Sequence, residues 1–396
     1  MAKIDELFKL LVEKGASDLH VVSGAPPYLR LHGDMVKLDQ PMLTAEDAQL
    51  MIFEILTEKQ KKEFVTNWEL DCAYTIEGLG RFRVNVFMQR KGIGSVFRVI
   101  PTKIKTVEEL GLPAACLEMI NCHKGLICVT GPTGSGKSTT LAALIHHINA
   151  TQNAHILTIE DPIEFVHPSL KSLINQREVH NHSKSFANAL KAALREDPDV
   201  ILVGEMRDLE TISLAISAAE TGHLVFGTLH TNNAHKTVDR IIDVFPGDRQ
   251  SQIRVQLSES LRGVISQSLL PKSDGKGRVA VQEILFCNKA IANLIREGKT
   301  FQIPSAMQTG RNQGMQTYES AVDGLMARGL LTKEVGMEFL GKSAEKGEEN
   351  GPVIGGAAAP PTPGHMPPPP NGGITMQQTG PMGAINNLAN KLKKSS

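Results

Sequence analysis

The sequence predicts an α/β protein with a small N-terminal α/β domain, a larger domain built on a parallel sheet with C-terminal helices, and a tail. Three observations carry this expectation. GRFRVNVFMQR from Gly80 and SVFRVI from Ser95 read as strands, the first alternating apolar and polar positions, and close a domain over residues 1–100. From about residue 124, the short apolar runs GLICVTG, AHILTIED, DVILVGE and HLVFGTLHT alternate with helical stretches, as in a parallel sheet covered on both faces. Beyond residue 341, Pro, Gly and Ala dominate, too few apolar side chains remain to offset the entropy of ordering, and the segment is expected to be disordered. The expected boundaries are 1–100, a linker over 101–113, a second domain over 114–341 and a tail over 342–396.

Composition weighs against several functions, though a local basic groove stays open. The 396 residues hold 42 Lys and Arg against 42 Asp and Glu, so a large basic face for duplex DNA or anionic lipid is not expected. Setting aside the five lysines and three glutamates of the tail leaves 37 against 39, which keeps that conclusion. Thirteen Phe with only three Tyr and one Trp make a poor stacking platform for single strands, and no direct nucleic-acid partner is expected. Cys72, Cys116, Cys122, Cys128 and Cys287 form no C-x-x-C pair, which argues for reduced thiols rather than disulfides or a thiolate zinc site. No apolar run approaches the roughly 18 residues of a membrane span, and MAKIDELFKLLVEKG lacks a signal-peptide core, so a cytoplasmic location is expected.

The elements follow in order. Ile4, Leu7, Phe8, Leu11 and Val12 recur on one face of a helix that Gly15 should cap. Tyr28 to Leu31 and Met35 to Leu38 should pair as strands about a turn at His32-Gly33-Asp34. Thr44 with Asp47 and Thr57 with Gln60 are capping boxes that open two helices. In the strand from Gly80, Phe82, Val84 and Val86 share one face, and Arg81, Arg83 and Asn85 the other. A helix-rich segment should run to about residue 341; Ile385, Leu388, Ala389 and Leu392 near the end of the tail fall on one helical face, but so short a helix is marginal alone and a solvated tail is expected over a short docking helix.

Gly131-Pro132-Thr133-Gly134-Ser135-Gly136-Lys137-Ser138 matches G-x-x-x-x-G-K-[ST], directly after the apolar LICVT and before the helical STTLAALIHHI. Glycines allow backbone N–H groups to turn inward around a phosphate, and the helix N-terminus favours negative charge. A nucleoside triphosphate is therefore the expected ligand, held by this loop through Thr139, with Lys137 on the β- and γ-phosphates and Ser138 on Mg²⁺. Hydrolysis also needs an acid near the γ-phosphate. Glu205 ends the strand VILVGE, with Gly204 where such strands commonly carry Asp, and Glu164 lies in a second acidic cluster, IEDPIE. Parallel strands bring their C-terminal ends to one crevice, so both should face the same phosphates. His223 and His230 bracket LVFGTL and are candidates to report the state of the γ-phosphate. The thirteen histidines show no zinc spacing.

Taken together, ASDLH at 16–20, GRFRVNVF, GPTGSGKSTT, TIEDPIEF, REDPDVILVGEMRD and TGHLVFGTLHTNNA resemble the type IV pilus retraction ATPases, the PilT family of the secretion ATPase superfamily. The resemblance extends to about residue 341. It implies a PAS-like N-terminal domain joined to a RecA-like P-loop NTPase domain, assembled as a homohexamer with nucleotide at subunit boundaries. It further implies that Arg81, Arg83 and Arg98 complete a neighbour's site, that Glu205 is the Walker B acid binding metal and water, and that Glu164 helps to position the attacking water. His223 and His230 fall in its histidine box.

KAIANLIREGK at 289–299 and PSAMQTGRNQGMQTYESAV look like the retraction family's C-terminal signature, with Ala292 in place of the usual arginine. The long N-terminal domain and four-cysteine insertion usual in extension and type II secretion ATPases are not seen. An inner-membrane pilus platform protein, peripheral attachment at the pilus base, and a paralogous retraction ATPase are the implied partners and location. An accessory paralogue, an extension or secretion ATPase, a nonmotor regulatory subunit and a nucleic-acid translocase on the same core are the alternatives.

Overall fold

A computed structural model describes residues 4–31, 33–100 and 104–341. The turn residue His32, the first part of the linker and the whole tail, with the readings of it as disordered and solvated, lie outside the described residues. The chain divides into two compact units between Val99 and Ile100.

The first unit comprises α1 (Asp5–Glu13), β1 (Asp18–Val22), β2 (Tyr28–Leu31), β3 (Asp34–Lys37), α2 (Ala45–Glu54), α3 (Glu58–Asn67), β4 (Glu69–Ile76), β5 (Gly80–Gln89) and β6 (Gly92–Ile100). Its sheet runs β3-β2-β1-β6-β5-β4. Both capping boxes form, with Asp47 N donating to Thr44 Oγ1 at 3.1 Å and Gln60 N to Thr57 Oγ1 at 3.3 Å. Such a cap contributes about 1 kcal/mol to its helix. Leu7, Phe8 and Leu11 of α1 pack with Phe82, Val84 and Val86 of β5 in one core. Val12, expected on the same helical face, is instead exposed, because its position falls at the edge of the apolar stripe.

The second unit contains α4 (Ala114–Ile120), β7 (Gly125–Thr130), α5 (Lys137–Thr151), β8 (His155–Glu160), β9 (Leu173–Glu178), α6 (Phe186–Ala193), β10 (Val200–Val203) and α7 (Leu209–Glu220). It continues through β11 (Leu224–Leu229), α8 (Ala234–Asp243), α9 (Gly247–Ser260), β12 (Leu261–Pro271), β13 (Arg278–Phe286), α10 (Lys289–Arg296), α11 (Ile303–Thr309), α12 (Tyr318–Ala327) and α13 (Lys333–Phe339). The sheet order is β13-β12-β7-β11-β10-β8-β9, and every neighbouring pair except β12 with β13 is parallel. Helices pack against this sheet, giving the mixed α/β class that the apolar runs predict. Val107 lies in the core of this unit with Leu110 and Leu112 against it, so much of the expected linker is built into the second unit.

The segment expected to be helix-rich contains two long strands, β12 and β13, which extend the sheet past the P-loop strand. β12 hid in the sequence because Ser266 and Gln267 interrupt its apolar pattern, yet both are buried. Their polar groups are used beneath the P-loop.

Candidate nucleotide site

Strand β7 ends at Thr130 and α5 starts at Lys137, so Gly131 to Gly136 form the whole turn between them. Gly131 has φ +145°, and a Cβ there would lie 2.2 Å from the Gln267 carbonyl oxygen, so no other residue fits without moving β12. Gln267 Nε2 donates to Ser135 O at 2.6 Å, and Thr140 Oγ1 donates to Gln267 Oε1 at 2.8 Å. The Thr130 and Ser266 hydroxyls are 2.6 Å apart. β12 thus holds the loop from below. No sequence signal marked Gln267, which lies 132 residues from its partner Ser135.

The loop's open side suits a phosphate. Thr133 and Gly134 are exposed, while Gly136, Lys137, Ser138 and Thr139 are half-buried. Gly136 precedes α5 with no side chain to cap it, which leaves first-turn N–H groups for an anion. Ser135 Oγ is buried without a hydrogen-bond partner. Lys137 Nζ donates to Gly131 O at 2.9 Å and Pro132 O at 3.1 Å. Burial lowers the Lys137 pKa, and the charges of Glu205 and Glu164 oppose that shift. Lysine and both predicted acids therefore share one electrostatic neighbourhood.

Glu205 lies in the loop beyond β10, which ends at Val203 rather than at the acid. His230 Nε2 is 3.0 Å from Glu205 Oε1, and Arg207 Nε bonds the same oxygen. Thr228 Oγ1 donates to Gly204 O at 2.5 Å, and Met206 N to Thr228 O at 3.0 Å, tying this loop to β11. Gly204 stands where an Asp is common because β8 runs close by. A Cβ there would approach Ile159 O at 3.0 Å and Glu160 Cα at 3.2 Å.

Glu160, at the end of β8, is half-buried with its carboxyl packed among protein atoms, and the desolvation pushes its pKa up to about 6 against hydrogen bonds from Thr158 and Gln176. Its Oε2 faces the Glu164 backbone N–H at 3.4 Å. Among the described residues, no group of three or more His, Cys, Asp and Glu is placed to hold a metal.

The two histidines part company. His230 follows β11 at the P-loop edge of the sheet, whereas His223 precedes it, and a strand of that length separates them by about 23 Å. His223 O accepts from Gly125 N at the start of β7, and its Nδ1 is 2.9 Å from Ala218 O. Within this chain His223 is not brought to the phosphate end, because flanking one strand puts two residues at opposite edges of a sheet.

The three arginines belong to the first unit. Arg83 pairs bidentately with Asp71 on β4, through Nη2–Oδ2 at 2.6 Å and Nε–Oδ1 at 3.3 Å. Arg98 Nε bonds Asp18 Oδ1 at 2.9 Å. Burial of Asp18 opposes its ionisation, but hydrogen bonds from Ser17 and Arg98 outweigh it and hold its pKa below the usual carboxylate range. The Arg98 side chain stays 67% exposed, so its guanidinium remains accessible while paired. Arg81 is half-buried beside them on β5.

Comparison with known proteins places this geometry. Residues 2–336 match the family model described as type II/IV secretion system protein. The chain is 54% identical over 331 residues to the "Type IV pilus retractation ATPase PilT" of Pseudomonas aeruginosa, covering 84% of this chain and 96% of the relative. It is 41% identical over 332 residues to that organism's "Type IV pilus ATPase PilU", covering 84% and 87%. The crystal structure of "the Pilus Retraction Motor PilT and Bound ADP" superposes with a TM-score of 0.80 at 51% identity, covering 85% of this chain and 97% of that one. With the P-loop, its two acids and the sheet order in place, the chain belongs to the type II/IV secretion system protein family, in the branch that holds the pilus retraction ATPases.

Proposed function

We propose that the protein is an ATP-hydrolysing motor, acting as a homohexamer, that powers retraction of a type IV pilus and hence twitching motility. The observation that carries this reading is the P-loop of β7 and α5 with Lys137, Glu164 and Glu205 gathered about it, in a chain 54% identical to a pilus retraction ATPase over nearly its whole length. The higher identity to PilT than to PilU, 54% against 41%, favours the main motor over the accessory paralogue.

In this reading the backbone N–H groups of residues 134–139 and Lys137 bind the phosphates, and Ser138 would hold Mg²⁺. A bound magnesium ion neutralises phosphate charge. Glu205, oriented by His230, holds the attacking water, with Glu164 as a second acid on the same site. Arg81, Arg83 and Arg98 complete a neighbouring subunit's site, and Arg83 and Arg98 exchange Asp71 and Asp18 for phosphate when they do so. The Arg83–Asp71 pair is exposed and worth only about 0.2–1 kcal/mol, which keeps that exchange inexpensive, whereas Asp18 is buried and has Arg30 at 3.8 Å to stay beside it when Arg98 leaves. The domains are residues 1–100 and a second unit that already includes Val107 and runs to 341, and their relative rotation acts N-terminal to Val107. No helix among the described residues is long and apolar enough to cross a membrane. Attachment to the inner membrane would therefore run through a platform protein at the pilus base, with the motor on the cytoplasmic side.

ATP turnover and nucleotide binding of the purified protein test this assignment. Lys137→Ala should abolish turnover, and Glu205→Ala should retain nucleotide binding while losing at least about 100-fold in kcat. Wild-type turnover in Glu205→Ala would reverse the assignment of that acid.

A further inference from the structure

The segment that carries Glu164 runs between β8 and β9 without regular structure of its own. Its backbone is nonetheless heavily bonded: Asn149 of α5 holds the second half, at Pro168, Leu170, Lys171 and Ser172, and β9 supplies partners on either side of Glu164. Residues two apart on a strand point to one face, and Gln176 and Glu178 both reach this segment. Glu178 Oε2 accepts from Ile163 N at 3.0 Å. Gln176 Nε2 donates to Phe165 O at 2.8 Å and to Glu160 Oε1 at 3.2 Å, while Gln176 Oε1 accepts from His167 N at 2.8 Å. The residues immediately before and after Glu164 are therefore each tied to β9.

A carboxamide supplies two donors and an acceptor, and all of these functions are used here. Glutamate at the same place would offer only acceptors at neutral pH, and an aliphatic side chain would offer nothing. The second use of Nε2, on Glu160, also steadies the carboxylate that faces the Glu164 N–H. The contribution is thus orientation of a loop rather than charge in the site.

We infer that Gln176, assisted by Glu178, is a positioning residue for the Glu164 carboxylate, clamping the acidic segment to the edge strand β9 so that this acid is held toward the P-loop. The inference rests on the reading of Glu164 as an acid of the hydrolytic site. A displacement of about 1 Å at such a group can cost on the order of 100-fold in rate, which sets the scale of the expected effect.

The test is a double-mutant cycle on the full-length protein, measuring kcat and KM for ATP together with thermal stability. The variants are Gln176→Leu, Gln176→Glu, Glu164→Ala and each Gln176 variant combined with Glu164→Ala. Both Gln176 variants should lower kcat by about 10-fold or more while KM for ATP stays within about twofold. Gln176→Glu keeps the acceptor for His167 N–H but sets a second carboxyl against Glu160, so its kcat should recover as pH falls and the pair shares a proton. Neither Gln176 change should lower kcat further once Glu164 is Ala. If Gln176→Leu fails to fold, the same cycle is read with Gln176→Glu. An impaired Glu164→Ala beside unimpaired Gln176 variants overturns the positioning role, as does a Gln176 loss of equal size in both backgrounds. Full turnover in Glu164→Ala overturns the reading of Glu164 itself, and the inference falls with it.

Discussion

Glu160 shows how the fold sets the chemistry of a single residue. Its ordinary pKa of 4.5 rises to about 6 because burial disfavours the carboxylate more than its hydrogen bonds favour it. A folded pKa above the unfolded one means that the group favours folding fully below pH 4.5 and loses that contribution as pH rises through about 6. The amount at stake is on the order of 2 kcal/mol. Glu160→Gln mimics the protonated acid at every pH. Its unfolding free energy relative to wild type should therefore shift in the variant's favour by on the order of 2 kcal/mol between pH 4.5 and pH 7, as read by denaturant titration. A difference independent of pH would contradict the burial argument. At this scale the sequence locates the turn that carries Lys137 and Ser138 and the strand that leads to Glu205, because their pattern is local. It conceals Gln267 and Gln176, whose partners come from other strands and leave no local pattern. His223, seven residues before His230, lies at the opposite end of β11 from this chain's P-loop.

Among the elements, the turn between β7 and α5 depends on β12, a strand whose polar residues disguise it. Gly131 is where the two meet, and its φ of +145° with a Cβ position 2.2 Å from Gln267 O leaves no room for a side chain. Gly131→Ala should weaken binding of a nucleotide analogue by at least about 10-fold and destabilise the second unit by about 1–3 kcal/mol, checked by fluorescence titration and thermal melting. Unchanged affinity would mean that β12 yields easily and does not shape the loop. Helix boundaries in the first unit were legible because Thr44 and Thr57 cap through local side-chain to backbone bonds. The parallel strands β7, β8, β10 and β11 were legible because strands buried on both faces must be apolar throughout. β9 was not, since LINQRE mixes exposed and bonded polar positions at a sheet edge.

For the whole molecule, one chain holds the P-loop, its acids and His230 in a single unit, while the arginines expected to act on a nucleotide lie in the other. Such a division suits a machine in which ATP binding and release move domains of adjacent subunits, and hydrolysis is spent on motion. The basic and acidic residues up to 341 are nearly equal in number, which weighs against a large basic face that tracks a phosphate backbone. The direction of that work is the central claim, and it is read on cells. Deleting the gene and counting surface pili by electron microscopy, with twitching scored on the same strains, should give hyperpiliated, nonmotile cells that wild-type protein restores and Lys137→Ala does not. Cells that lose their pili would make the protein an extension motor and contradict the account.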